Sequence, residues 1–365
     1  MEVTILIIWT LAVFIQLFYY VFFYMRLSKK ISKDETFLPP VSVVICARNE
    51  EENLKKFLPL ILEQDYPDYE VIVVNDASVD DTDIVLKSFT SKYPHLRVTT
   101  IKKDEKFTHN KKLALTVGIK AAKNEILLLT DADCYPVDKN WIKSMVSSYK
   151  PHTDIVLGYG GYEKNKGLLN KIIRFDALTI AMQYFSFALA GIPYMGVGRN
   201  LSYKKSLFFS NKGFANHLHL NSGDDDLFVN ETANKKNVSV NLDAHTRSVP
   251  RKSFASWIIQ KKRHQLTFYK YKLKHKFLIV LEPLSRWIFY GLIPLNFLFA
   301  KKFLLLFFVF FFIREFFLLL AYYFSSKTLK EKDLLLISPV FDFVFLFIYL
   351  IIKIYRNPYK KEAWK

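Results

Sequence analysis

An open, mostly parallel α/β sheet, flanked at both chain ends by membrane-spanning helices, is the fold class this sequence predicts. Three observations carry it. Short β-branched runs alternate with helical periodicity through the middle, apolar stretches occupy both ends, and most of the excess positive charge lies between them. The 365 residues carry a net charge of +18, yet 51% are hydrophobic and 34 are Phe. Residues 1–25 hold no Lys or Arg, and 277–365 hold twelve basic and six acidic residues, which leaves 26–276 with a net charge of +13. So apolar a composition excludes intrinsic disorder. Two cysteines cannot staple a disulfide scaffold and suit a reducing compartment.

The first apolar run, 3–25, is interrupted only by Thr4, Thr10 and Gln16, and about 20 such residues cross the hydrocarbon core. Residues 1–25 are therefore read as a transmembrane helix. Arg26, Lys29, Lys30 and Lys33 follow at once, so the positive-inside rule puts the middle of the chain in the cytoplasm. The basic n-region and small-residue cleavage site of a secretory signal are missing. After Lys276 come three more apolar blocks, 277–300, 303–324 and 334–352. Three crossings would put the basic tail (Arg356, Lys360, Lys361, Lys365) outside, so 277–365 is expected to hold two or three crossings, with one block lying at the interface. Pro283 and Pro294 single out the first block as the broken one.

Between the ends, 41–46 (VSVVIC), 71–74 (VIVV) and 126–130 (ILLLT) read as parallel strands buried on both faces. The segments 51–63, 80–93 and 111–123 are long enough for crossover helices. In such sheets ligands bind beyond the carboxyl ends of the strands. Those ends carry Ala47, Arg48, Asn49 and Glu50; then Asn75, Asp76, Ala77 and Ser78, with Asp80 or Asp81 capping the next helix; then Asp131 and Asp133. Polar loops are ordinary, but three successive strands ending in polar or acidic residues at one rim point to a site.

The pair Asp131 and Asp133 is the sharpest chemical element. Carboxylates two apart at a strand end can approach a hard divalent cation, Mg²⁺ or Mn²⁺, which would stabilise a departing diphosphate. The basic run Lys102, Lys103, Lys106, His109, Lys111 and Lys112 is mostly a solvated face, except that Lys111 opens a helix where an anion can be held. The segment 168–184 has apolar residues at helical spacing and fits either an amphipathic surface helix or core packing.

With these residues in place, the chain resembles family 2 glycosyltransferases over 41 to about 264. VSVVICARNEEENL is similar to that family's opening strand and donor loop, EVIVVNDASVDDT to its second strand with a base-binding aspartate, NKKLALTVGI to its G-K-x-x-A-L-N-x-G and LLLTDADCYP to its D-x-D strand. The resemblance implies a GT-A-like (Rossmann-like) cytoplasmic domain that inverts the sugar of a nucleotide-diphospho-sugar, a UDP-sugar by preference. It implies that Ala47, Arg48, Asn49 and Glu50 surround the nucleotide, that Asp76 holds the base, that Lys111 and Asp131 contact the nucleotide, and that Asp133 ligates the metal. GDDDLFVN, 223–230, is similar to the family's E-D-x-D-L, which makes Asp224 the general base, with Asp225 as the alternative in a run of three aspartates. Clustered carboxylates raise one another's pKa, which would suit a base working near neutrality. Gly223 stands where the family has glutamate, and Thr116 where its lysine motif has asparagine.

Gln260, Arg263 and His264 occupy positions resembling the family's Q-x-x-R-W, facing acceptor or diphosphate. His264 in place of Trp argues against a processive polymer synthase. The two lysines inside that motif, Lys261 and Lys262, together with Lys29 and Lys30, are expected to face anionic headgroups. Gly198 and Asn200, in the turn GVGRN, are similar to the family's acceptor-side segment.

The organisation that follows is a membrane helix over 1–25, a catalytic domain over 26–245, a basic juxtamembrane segment over 246–276 and a membrane region over 277–365. The function that follows is transfer of a sugar from a nucleotide-diphospho-sugar to a membrane-proximal lipid or glycan, by an integral membrane protein in contact with membrane lipids. A processive polysaccharide synthase and a non-enzymatic nucleotide-binding membrane protein are the rivals. Charge alone suggests nucleic acid, but no recognition motif accompanies it, so none is expected as partner.

Overall fold

The computed structural model describes residues 2–102, 110–220 and 222–355. Lys103, Lys106, His109 and the basic tail from Arg356 lie outside the described residues. The first helix, α1, starts at Glu2–Phe18 and runs on through one π turn (Tyr19–Phe23) and one 3₁₀ turn (Tyr24–Ser28). An α/β unit follows: β1 (Val41–Ala47), α2 (Glu51–Leu62), β2 (Tyr69–Asp76), α3 (Thr82–Lys92), β3 (Leu96–Ile101), α4 (Lys111–Ala121) and β4 (Ile126–Asp131). Next come β5 (Cys134–Pro136), α5 (Trp141–Val146), β6 (Ile155–Tyr162), α6 (Leu168–Leu189), β7 (Leu201–Lys204), α7 (Lys205–Ser210), α8 (Asp226–Thr232) and β8 (Val238–Ser248). The chain closes with α9 (Phe254–Gln265), α10 (Leu273–Phe299), α11 (Leu304–Thr328) and α12 (Ser338–Ile354).

The eight strands form one sheet in the order β3-β2-β1-β4-β7-β6-β8-β5. The first four are mutually parallel, and β7 is antiparallel to both β4 and β6. β1 and β2 are buried along nearly their whole length, which is why they read as unbroken apolar runs. Edge strand β3 (LRVTTI) is exposed at Arg97 and Thr100, and its polar composition hides it from a search for apolar runs. β8 extends to Ser248, so the expected domain boundary after residue 245 cuts a strand. Chain order reverses direction across the sheet between β1 and β4, which opens a crevice at their carboxyl ends.

Among the described residues, four helices are long and apolar enough to cross a membrane: Glu2–Ser28, Leu168–Leu189, Leu273–Phe299 and Lys301–Thr328. Of these, α6 is core rather than surface, with Phe175 stacked on Tyr322 at 5.2 Å and Phe187 against Phe23 at 4.5 Å. The block predicted to break does not. α10 runs unbroken through Pro283 and Pro294, because a proline costs one backbone bond that neighbouring helices can offset. The block that departs is α12. Before it, Glu331 is gripped by Arg174 and Arg247 and Asp333 accepts from Arg174 at 2.9 Å; near its end, Tyr349 donates to Asp176 at 3.1 Å and Lys262 donates to the Tyr355 carbonyl. Both ends of α12 are thus tied to the α/β unit.

Candidate active site

Three elements aim their ends at one point. β4 ends in Asp131, α4 opens with Lys111 behind an Asn110 cap that accepts from the Leu113 N–H at 2.9 Å, and the loop before α8 carries Asp224. Lys111 Nζ stands 2.7 Å from Asp131 Oδ1 and 2.9 Å from Asp224 Oδ2. Burial alone would lower the lysine, but Asp131, Asp224 and Asp225 outweigh it and hold the ammonium well above its usual range.

The three aspartates before and within α8 do not behave alike. Burial would raise Asp224, yet the Lys111 ammonium holds it below the usual carboxylate range. This corrects the expectation that the cluster raises the pKa of its base. The raised carboxyls are the other two. Asp225, half-buried and beside Asp224 and Asp226, is pushed up to about 7 by lost hydration and then by its two neighbours, and Asp226 is also raised, by burial first. Asp225 Oδ2 accepts the Gly198 N–H and its Oδ1 accepts the Asp226 N–H, each at 2.7 Å, so it braces the loop. A Cβ on Gly198 would lie 3.3 Å from Lys111 Nζ, 3.5 Å from Asp225 Oδ2 and 3.6 Å from Asp224 Oδ2, so a side chain here would press on the lysine.

Asp131, Asp133 and Cys134 bring their ligand atoms within 4.8 Å of one another. Burial pushes the Cys134 thiol up, so it stays protonated and donates to Asp133 Oδ1 at 3.3 Å. The two carboxylates remain, and hard oxygen donors suit Mg²⁺ or Mn²⁺. Burial, then Asp131, raises Asp133, a cost that a cation would relieve.

On the β1 and β2 side, Arg48 and Glu50 line the cleft while Ala47, Asn49 and Asp76 sit behind it. Asp76 is fully enclosed with Arg48 Nη1 3.9 Å away, so in this arrangement it is closed to a base. Asn49 adopts a left-handed backbone (φ 53°) and stitches the two loops together, donating its N–H to Ser78 Oγ at 3.0 Å and accepting the Val79 N–H at 2.8 Å. Asp80 bridges the same loops, accepting from Thr82 and Glu51, while Asp81 makes no side-chain cap.

The cleft, about 700 Å³, is lined further by Gly198, Gln260, Arg263 and His264. Gln260 Oε1 is buried without a hydrogen-bond partner among the described residues. His264 projects into the cleft, where lost hydration first, then the charges of Lys261, Arg263, Arg199 and Lys111, keep its imidazole well below its usual range. Asn200 does not reach the cleft. It is buried, accepts from Trp141 Nε1 at 3.0 Å and donates to the Tyr159 and Ala244 carbonyls. Lys261, expected at headgroups, instead pairs with Asp176 at 2.7 Å inside the cleft, and Lys262 donates to the Tyr355 carbonyl at the end of α12. Lys112 is likewise structural, donating to the His217 and Leu220 carbonyls.

Two cleft residues escaped sequence reasoning. Arg199 stacks its guanidinium 4.3 Å over the Tyr162 ring, and Arg251 follows β8; among the described residues neither forms a salt bridge, and both act on Asp133. No periodicity could have given the first, because Gly198–Asn200 is a 3₁₀ turn. Applying the strand-end rule to β8 would have given the second.

Residues 42–208 match the model of glycosyl transferase family 2. Over 113 residues the chain is 35% identical to the glycosyltransferase AglE of Haloferax volcanii, covering 30% of this chain and 36% of that protein. Over 178 residues it is 28% identical to a dolichyl N-acetyl-α-D-glucosaminyl phosphate 3-β-D-2,3-diacetamido-2,3-dideoxy-β-D-glucuronosyltransferase of Methanococcus voltae, covering 47% and 50%. The chain thus spans half or less of the length of these relatives. A mannosyltransferase of Pyrobaculum calidifontis, solved with GDP-Man and Mn²⁺, superposes with a TM-score of 0.59 at 20% identity, over 94% of this chain and 98% of that one. The fold is GT-A, a Rossmann-like mixed sheet with added helices. Sheet order and strand-end carboxylates agree with the match over 42–208, the part of this chain that is similar to glycosyl transferase family 2.

Proposed function

We propose that the chain is an inverting glycosyltransferase that moves a sugar from a nucleotide-diphospho-sugar to a lipid or lipid-linked glycan. The observation that carries this reading is the continuity of the cleft. It begins at Asp131, Asp133 and Asp224 and ends against α10 and α12, at Val280, Pro283, Trp287 and Leu346. An acceptor with its hydroxyl near Asp224 can therefore keep its apolar part among helices long enough to sit in a bilayer.

In this reading Glu2–Ser28, α10 and α11 cross, α12 lies along the membrane face, and the α/β unit is cytoplasmic, the side on which Arg26, Lys29, Lys30 and Lys33 stand. Asp224 takes the proton of the acceptor hydroxyl, and Lys111 keeps it ionised beforehand. Asp133, with Asp131 beside it, would hold a divalent cation that neutralises the leaving diphosphate. Arg199, Arg251 and Arg263 supply positive charge along the same wall. A UDP-sugar is the donor we favour. The Pyrobaculum calidifontis neighbour was solved with GDP-Man, so both bases belong in the test.

The test is release of nucleoside diphosphate by the full chain in native lipid extract, across UDP- and GDP-sugars, with Mg²⁺ or Mn²⁺ and then with EDTA. One donor should be consumed, the product should be a lipid carrying one added sugar, and EDTA should reduce release to background. Sugar release that needs no lipid, or no release from any donor, overturns the reading.

A further inference from the structure

Asp224, Asp225 and Asp226 are consecutive and all line the cleft, but they make different contacts, and only the third is tied to the segment that leads into α10. Asp226 Oδ2 accepts from the hydroxyl of Tyr271 at 2.7 Å and from the hydroxyl of Thr267, both buried residues in the short segment that leads into α10. One turn on, Asn230 continues the contact. Its Oδ1 accepts the Lys272 N–H at 3.1 Å, and its Nδ2 meets the Tyr194 carbonyl at 2.8 Å and His275 Nδ1 at 3.0 Å. Positions i and i+4 share a helix face, so one side of α8 is stapled to the start of α10. A helix of seven residues cannot hold itself in place, and external contacts must set its position.

We propose that Asp226 is a positioning residue for the transfer step: by gripping Thr267 and Tyr271, it lets the entry of the membrane helix α10 set where Asp224 stands in the cleft. This rests on the reading of Asp224 as the base. The chain between the two residues is too short to absorb a shift. Asp225, between them, is itself pinned to Gly198, so α8, the base and the glycine turn move together or not at all. A displacement of about 1 Å at the base is enough to cost two orders of magnitude in rate.

The test uses the full chain in lipid nanodiscs with the donor selected above. Asp226→Asn removes the charged grip, and the pair Thr267→Val with Tyr271→Phe removes it from the other side while leaving Asp226 intact. Each should lower kcat about 30-fold with the donor KM within about twofold, and the triple variant should be no more than about twofold worse, because all three act through one contact. Hydrogen exchange of residues 222–227 should quicken at least tenfold in both variants. Multiplying losses, a rise in donor KM at unchanged kcat, or unchanged exchange in the Thr267→Val, Tyr271→Phe protein overturns the proposal. That protein also decides the matter if Asp226→Asn fails to fold. If no donor is consumed by the wild type, the functional reading falls, and exchange still decides whether the staple exists.

Discussion

Two clusters of charge, one around Asp131 and Asp224 and one among the long apolar helices, are built on opposite rules. Among the helices, Arg314 is fully buried and meets Gln16 at 2.9 Å, Glu315 at 2.6 Å, Tyr290 at 3.2 Å and Asp342; Asp342 in turn accepts from Tyr290 at 2.8 Å and from Arg286 at 3.1 Å, and Arg286 reaches Glu282 at 3.0 Å. Each of these charges finds an opposite charge across or along the helices. In the cleft six aspartates gather; Lys111 pairs with two and Lys261 with Asp176, and Asp133, Asp225 and Asp226 form no salt bridge among the described residues. A closed network has no valence left for a ligand and serves the fold. One with surplus carboxylate lining an open cleft is arranged to receive a cation and its anionic cargo.

The contrast is broken most directly at Asp342. Asp342→Leu takes one carboxylate from each of two buried guanidinium groups, leaving Arg286 only Glu282 and Arg314 only Glu315, and should destabilise the protein by about 4 kcal/mol. Arg314→Met should cost less, because Asp342 keeps Arg286. Thermal unfolding in detergent ranks the two, and the reverse order would mean that the network is not what holds α1, α10, α11 and α12 together.

In the cleft the largest effect should fall on rate instead. Asp224→Asn should lower turnover about 10³-fold, equivalent to about 4 kcal/mol, while the donor KM moves less than about twofold and Tm stays within a few degrees. Near-normal turnover would remove Asp224 from its role. Gly198→Ala should lower turnover about tenfold, about 1.4 kcal/mol, because its new methyl group pushes the Lys111 ammonium away from Asp224. A turnover within twofold of wild type would mean that the lysine yields freely.

The same contrast marks what could be read from the chain. β1, β2 and β4 were legible because burial on both faces writes itself as continuous Val, Ile and Leu, and their polar ends fall where such sheets bind ligands. The acceptor side was not. Asn200 and Arg199 are neighbours in one glycine-rich turn, and only packing decides that Asn200 faces Trp141 while Arg199 faces the cleft. Lys261 looks like a headgroup ligand until its partner, 85 residues earlier in the chain, is known to be Asp176. Nor does the apolar block 334–352 disclose that the approach to α12 is held by Glu331 meeting Arg174 and Arg247, a contact between residues far apart in sequence.

Asp225 offers the smallest and most specific check. Its folded pKa of about 7 lies above the ordinary carboxyl value of 3.8, so between those two pH values the folded chain holds a proton that the unfolded chain has released. Stability from this group is therefore fully present below about pH 4 and is lost as pH rises through 7. Asparagine resembles the protonated carboxyl in shape and can still accept the Gly198 N–H. The Tm of Asp225→Asn should match wild type near pH 4 and exceed it by a margin that grows toward pH 7 and then levels off, measured without metal or donor. A margin that is flat with pH would show that Asp225 titrates normally, and that the surplus charge of the cleft is carried by Asp131, Asp133 and Asp224 instead.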